Sequence, residues 1–269
     1  MAGSQTGFIL MAAPIRLEML VPGVVGVTLD RAERRNALSI ELMEALCDAF
    51  DRLASEPANR VVILQGAGPV FSAGLDLREA VDDSLIEKSA HLVERTLRTV
   101  RESPLVSIAA VQGGAFAGGA GLMLACDIVI AAEDAKIGFP EPRRGLLPAL
   151  ICSVLRTKVR EGDLRDLLLT GDAIDAGRAQ GLGLVQRLVP ANRLLEEAQA
   201  VANSLLAGGP ETLRQTKKLI AAVFSASEAG EEALAGLHLG ARRSPEAREG
   251  LAAFLEKREP NWMRKPGVS

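Results

Sequence analysis

Short, wholly apolar runs alternate with amphipathic stretches along most of the chain, the pattern of buried strands covered by helices. After a loose start, Ile15–Leu20 and Val24–Leu29 read as two strands joined by the turn Pro22-Gly23. Ser39 is placed to N-cap a helix whose apolar positions Leu42, Leu46, Ala49, Phe50 and Leu53 share one face. Three residues after Ser39 stands Leu42 rather than Glu or Gln, so the pattern gives a single cap and no capping box. Val61–Leu64 is a short apolar strand that ends at Gly66-Ala67-Gly68. Helical spacing returns from about Glu79 to Val100, with His91 among its charged positions. Leu105–Val111 and Ile128–Ala132 are two further strands, and the glycine-rich stretch Gly113–Gly121 lies between them. From Asp163 onward the pattern is mainly helical, with Leu184–Val189 as the exception. Ser244–Lys257 is amphipathic, with Ala247, Leu251, Phe254 and Leu255 on one side, a face for its own core or for a neighbouring subunit. Strand, turn and helix in repetition predict an α/β protein.

Composition narrows the function classes. The 269 residues allow one large α/β domain or two small ones, and no Ser/Pro-rich linker marks a division. Hydrophobic residues at 48% and charged residues at 24% exclude a disordered or fibrous chain. A formal charge of −3 gives no support to nucleic acid as a partner, which needs clustered positive charge. Cys47, Cys126 and Cys152 form no Cys-x-x-Cys pair, which excludes a zinc ribbon or disulfide scaffold and fits a reducing cytosol. No apolar run reaches the roughly 18 residues that a membrane span needs. Phe8–Ala13 is too short, and lacks the basic flank, for a secretory signal, so a cytoplasmic protein is expected. Tyrosine is absent and the two histidines, His91 and His238, read as a solvated and a packed helix residue. A Ser–His–Asp or Cys–His machine has little to work with, and a carboxylate is the expected proton-transfer group.

Two glycine-rich loops follow buried strands: Phe71-Ser-Ala-Gly-Leu-Asp-Leu77 and Gln112-Gly-Gly-Ala-Phe-Ala-Gly-Gly-Ala-Gly121. Neither has the G-x-G-x-x-G spacing of a dinucleotide fingerprint, and Gly118-Gly119 is followed by Ala120 rather than the Lys of a phosphate loop. Each places a glycine just before a helix, where free N–H groups favour negative charge. Either alone is explained by tight strand–helix packing. Together they suggest paired backbone donors for one oxyanion.

These loops, together with Asn36-Ala-Leu-Ser39, Ala125-Cys-Asp-Ile-Val-Ile-Ala-Ala132, Gly138-Phe-Pro-Glu-Pro142, Leu169-Thr-Gly-Asp-Ala-Ile-Asp-Ala176 and Glu249-Gly-Leu-Ala-Ala-Phe-Leu-Glu-Lys-Arg258, resemble the crotonase (enoyl-CoA hydratase/isomerase) superfamily in order and spacing. The resemblance runs from about Arg16 to Trp262. It implies a spiral core of ββα repeats over residues 15–190 and a helical C-terminal region over 191–262 that mediates assembly as a homotrimer or a dimer of trimers. It implies an acyl-CoA substrate, an enolate-like intermediate and no separate cofactor, CoA being part of the substrate. Mapped onto this chain, the oxyanion hole would be the N–H groups of Leu75 and Gly118. Arg34, Arg35, Ala37, Ala73, Asp76, Leu77, Gly114 and Pro140 would line the CoA channel, and Lys257 could reach CoA phosphates. No metal, nucleic acid or membrane is implied.

Hydratases of this family typically use two glutamates. Glu141 falls on the second, whose apolar setting would raise its pKa toward neutrality. The first should stand three residues after Gly118, where this chain has Gly121. The run Gly118–Leu122 followed by Gly145-Leu-Leu-Pro-Ala149 also resembles bacterial methylglutaconyl-CoA-type hydratases, which often lack that first acid. No aspartate occurs over Leu146–Leu150, against a dienoyl-CoA isomerase. Arg143-Arg144 could receive a substrate carboxylate or stand in solvent. Three readings stay open: an enoyl-CoA hydratase-like enzyme first, a Δ3,Δ2-enoyl-CoA isomerase using one carboxylate, and an acyl-CoA-binding protein with little catalysis.

Overall fold

The computed structural model describes residues 9–12, 14–224 and 244–263. His238 lies outside them, as do the side chains of Phe254 and Leu255. Contacts divide the chain into two units that part between Ala200 and Val201.

The first unit is built on strands β1 (Ile9–Ala12), β2 (Ile15–Val21), β3 (Val24–Leu29), β4 (Val61–Gly66), β5 (Val106–Val111), β6 (Gly114–Phe116), β7 (Ile128–Ala132), β8 (Lys136–Gly138), β9 (Ala173–Asp175) and β10 (Arg187–Val189). Seven of them form one sheet in the order β1-β2-β3-β4-β5-β7-β10. The β2–β3 hairpin turns at Pro22-Gly23, as the sequence predicts, and β1 extends it, so the loose start is an edge strand. From β3 onward the pairing is parallel, and β3 and β5 are buried at every position. Strands covered on both sides read as continuous apolar runs, which is why the sequence shows them clearly.

Helix α1 (Ile40–Ser55) begins where expected, with Ser39 Oγ accepting from Leu42 N at 3.2 Å. The amide that a capping-box glutamate would not reach is served from elsewhere: Ile40 N donates to Glu79 Oε2 at 2.7 Å. Leu42, Leu46, Phe50 and Leu53 are buried as one stripe. The helical stretch expected over 79–100 is two elements, α2 (Leu77–Ala80) and α3 (Ile86–Glu102). Between them Asp82 Oδ1 accepts from Ser84 N and Oγ, a local turn that competes with the helix and that periodicity does not register.

A second sheet, β6-β8-β9, and helix α4 (Gly118–Ala125) fill the region after β5. Its strands have three residues each, too few for an alternation to show. Helices α5 (Ala149–Leu155), α6 (Glu161–Thr170) and α7 (Ala176–Gly181) follow, the first of them ahead of the helical onset expected at Asp163. Helix α8 (Leu194–Leu206) runs across the boundary between the units.

The second unit holds α9 (Pro210–Phe224) and the helix Pro245–Glu256. Glu246 accepts from Glu211 N, Thr212 N and Thr212 Oγ1, covering the orphan amides at the start of α9. Trp262 Nε1 donates to Ala207 O at 3.0 Å. On the helix expected to be amphipathic, Ala253 is buried while Leu251 is 60% exposed. Among the described residues, no helix is long and apolar enough to cross a membrane.

Candidate active site

Two loops meet at the C-terminal ends of the parallel strands. In the first, Asn36 is buried and acts as a clamp. Its Nδ2 donates to Ala67 O and Val70 O at 2.8 and 2.9 Å, and its Oδ1 accepts from Arg31 N at 3.0 Å. Ser72 Oγ donates to Asn36 O, and Ala73 N donates to Arg35 O, so the segments 31–37 and 66–73 are tied together. Gly74 then turns with φ +92, where an added Cβ would stand 2.8 Å from Phe116 O and 2.9 Å from Ala117 Cβ. Only glycine lets the two loops approach this closely.

That approach leaves two amides side by side. Leu75 pairs with Leu38 in an isolated bridge whose bonds run from Leu38 N to Gly74 O and from Asp76 N to Leu38 O, so Leu75 N donates to neither. This donor belongs to a bridge, not to a helix end as the glycine pattern suggested. α2 starts two residues later and its own amide, Arg78 N, goes to Asp76 Oδ1. The other donor is at a helix end: Gly118 is the first residue of α4, where the N–H has no intrahelical acceptor. Ala117 before it holds φ 49 and ψ −124, an alanine in a region that favours glycine, and its own N–H is anchored on Gly138 O at 2.9 Å. A Cβ placed on Gly118 would lie 3.8 Å from Leu75 N. Leu75 and Gly118 both line one cavity of about 380 Å³.

Glu141 lines the same cavity, at the start of a 3-10 turn (Glu141–Arg144) that leaves β8 through Pro140. It is 8% exposed, and its Oε2 is buried without a hydrogen-bond partner. Burial pushes the carboxyl pKa up from the ordinary value, opposed by a hydrogen bond to its own backbone and by the nearby Arg144 charge. A carboxyl group held ready to give and take protons results.

Of the residues singled out from the sequence, Leu75, Gly118, Glu141, Arg34, Arg35, Ala37, Ala73, Asp76 and Leu77 all line this cavity. Gly114 lies instead in β6, where an added Cβ would meet the Phe116 ring at 2.8 Å. Pro140 precedes Glu141 and turns the chain, its carbonyl accepting from Arg143 N. Lys257 belongs to the second unit, exposed, with φ 53. Sequence reasoning missed Arg31, which donates to Ala37 O at 2.8 Å and pairs with Asp76 at 3.1 Å. In the run Arg31-Ala-Glu-Arg-Arg35 nothing separates this half-buried arginine from its solvated neighbours.

Gly121 falls one turn along α4 from Gly118, on the same face. The place its side chain would take is occupied: an added Cβ would stand 2.5 Å from Ile151 Cδ1 and 3.5 Å from Leu97 Cδ1. An apolar plug, contributed by α5 and α3, stands where a second acid was looked for.

A family model described as enoyl-CoA hydratase/isomerase matches residues 21–265. A Thermus thermophilus protein, provisionally named an enoyl-CoA hydratase, is 40% identical over 245 residues, 89% of this chain and 97% of its own. The enoyl-CoA hydratase EchA19 of Mycobacterium tuberculosis is 35% identical over 249 residues, covering 89% of this chain and 92% of that one. The crystal structure of an enoyl-CoA hydratase from Bacillus anthracis superposes with a TM-score of 0.88 at 33% identity, over 92% of this chain and 98% of that one. The α/β architecture implied by the sequence motifs is the one these solved structures share.

Proposed function

Because the chain belongs to the enoyl-CoA hydratase/isomerase family, we propose that it hydrates the double bond of a 2-enoyl-CoA reversibly, with Leu75 and Gly118 as oxyanion donors and Glu141 as acid and base. The observation that carries this reading is that one cavity is lined by Leu75 and Gly118, which lie side by side, and by Glu141, a buried carboxyl with one oxygen lacking a hydrogen-bond partner. The thioester oxygen accepts from both amides, and they hold it more tightly as it becomes the enolate oxygen. Water adds at the β-carbon. Its proton passes to one Glu141 oxygen while the Glu141 proton is delivered to the α-carbon, so the carboxyl group ends as it began. CoA enters as part of the substrate, and no resident cofactor has a role in this sequence of steps.

The plug at Gly121 favours a second reading. With Ile151 and Leu97 filling that place, Glu141 alone can move a proton between C2 and C4, which is isomerisation of a 3-enoyl-CoA. The conjugated-thioester absorbance separates the two: crotonyl-CoA loses the band on hydration, and 3-enoyl-CoA gains it on isomerisation. Glu141→Gln is expected to abolish either activity with little change in CoA affinity. Gly118→Pro removes one donor and, in protein that folds, is expected to lower turnover by about 10²–10³. Full activity in folded Glu141→Gln protein would defeat the assignment.

The helical region 191–262 is proposed to carry assembly into a trimer or a dimer of trimers. In the second unit Ile220, Val223 and Phe224, on one face of α9, are 53–65% exposed, a strip suited to a further copy of the chain. A cytoplasmic location is proposed with it.

A further inference from the structure

Ser72 is fully buried and touches both loops that bring the oxyanion donors together. Its hydroxyl has a fixed sense: it donates to Asn36 O at 2.8 Å, which can only accept, and accepts from Gly74 N at 3.3 Å, which can only donate. On the other side of Gly74, its carbonyl accepts from Leu38 N at 2.8 Å. The peptide planes before and after Gly74 are thus both held, by Ser72 Oγ and by Leu38 N. Because the Gly74–Leu75 peptide is planar, the direction of the Leu75 N–H follows from them. The second loop is referred to the same residue. Ser72 pairs with Ala115 in an isolated bridge, and its carbonyl accepts from Phe116 N at 3.0 Å, two residues before Gly118. The first turn of α4 lies directly on it, since a Cβ added at Gly119 would stand 2.6 Å from both Ser72 O and Ser72 Oγ.

We propose that the Ser72 hydroxyl is a positioning group for the oxyanion pair, setting the aim of the Leu75 N–H and the seat of the helix that carries Gly118. This rests on the oxyanion reading of the site. Joining the segments does not itself need the hydroxyl. Ala73 N still donates to Arg35 O, Leu38 N to Gly74 O and Phe116 N to Ser72 O when the hydroxyl is removed. What the hydroxyl alone supplies is an acceptor for Gly74 N at the position where φ is +92. Its loss leaves the loops joined and the amide before Gly74 free to tilt. Donors that tilt hold a thioester almost as well but serve the developing enolate oxygen less well, so the penalty falls on the chemical step.

The test compares Ser72→Ala with Ser107→Ala. Ser107 is an equally buried serine whose hydroxyl also donates one bond and accepts one, both with Asp127, near the opposite end of β5 from the site. Kinetics on crotonyl-CoA and a 3-enoyl-CoA are joined to the infrared band of an isotope-labelled thioester carbonyl in bound, unreactive butanoyl-CoA. Ser72→Ala is expected to lower kcat by about 10–100-fold with KM changed by less than about threefold, the scale of a misplaced rather than a missing donor. Its bound carbonyl band is expected to shift less from the free value than in wild type. Ser107→Ala is expected to keep the wild-type kcat and band. Ser72→Cys, whose thiol is a weak donor and acceptor, is expected to fall between wild type and alanine, and carries the same comparison if the alanine variant does not fold. An undiminished band shift and kcat in folded Ser72→Ala overturn the proposal and leave the oxyanion reading standing. So does a rise in KM alone, or an equal loss of kcat in Ser107→Ala, which would make the effect one of general stability. No band shift in wild type would defeat the oxyanion reading itself, and the role of Ser72 with it.

Discussion

At the scale of single residues, Glu141 stands at odds with folding. Its carboxyl is buried with one oxygen unpaired, and its pKa is raised mainly by desolvation. A folded-state pKa above the unfolded one means that the folded protein holds the proton more tightly. The penalty is therefore full at pH values above the raised pKa, shrinks as pH falls through it, and is gone below the ordinary carboxylate value. Glu141→Gln is expected to melt higher than wild type at neutral pH, on the order of 2–4 °C for each ~1 kcal/mol relieved, and to lose that advantage in acid. Equal melting temperatures across the pH range would mean that the carboxyl is well solvated. Gly121 poses the converse question. A glutamate there collides with Ile151 Cδ1, so Gly121→Glu alone is expected to cost about 1–3 kcal/mol through overpacking and to add no hydration. Gly121→Glu combined with Ile151→Ala opens the space, and faster hydration of crotonyl-CoA is expected from the pair. If both variants hydrate equally, Ile151 does not guard that volume.

At the scale of elements, the site depends on how two loops are joined. Arg31 ties the segment 31–37 to the loop that carries Leu75, reaching Ala37 O within its own segment and Asp76 across it, with both charged side chains largely buried. Arg31→Met leaves the Asp76 carboxylate without its partner and is expected to destabilise by about 1–3 kcal/mol. It is also expected to raise KM more than it lowers kcat, because it frees the rim and not the oxyanion donors. Urea unfolding and steady-state kinetics read the two effects, and a larger fall in kcat would place Arg31 closer to the chemistry. The inner strands of the main sheet and α1 were legible in the sequence because their apolar runs and the Ser39 cap are local signals, whereas the edge strand Ile9–Ala12 read as a loose start. The strands Gly114–Phe116, Lys136–Gly138 and Ala173–Asp175 were not, since each is defined by partners far along the chain. The site shows the same division. Glycine spacing and the Glu141 motif are visible in the sequence, but the Arg31–Asp76 pair, the positive φ of Ala117 and the Ile151 plug arise only when distant segments meet.

At the scale of the whole molecule, the open question is how many copies work together. The second unit exposes Ile220, Val223 and Phe224 on one helix and Leu251 on another, and the proposed assembly would cover them. Sedimentation is expected to give a multiple of the 28.4 kDa chain mass at micromolar concentration, three or six copies. A stable single chain would contradict the proposed assembly.

The contact between Glu79 and the start of α1 reaches further than its role as a cap. Glu79 sits in the short helix that carries Leu77 and Arg78 at the cavity rim, and its partner, Ile40 N, opens a long helix of the core. Any shift of that rim therefore tugs on an amide 39 positions away in sequence. Ile40 is in effect a built-in strain gauge. Its hydrogen exchange should slow when a thioester holds the rim closed, and Glu79→Gln should weaken that response.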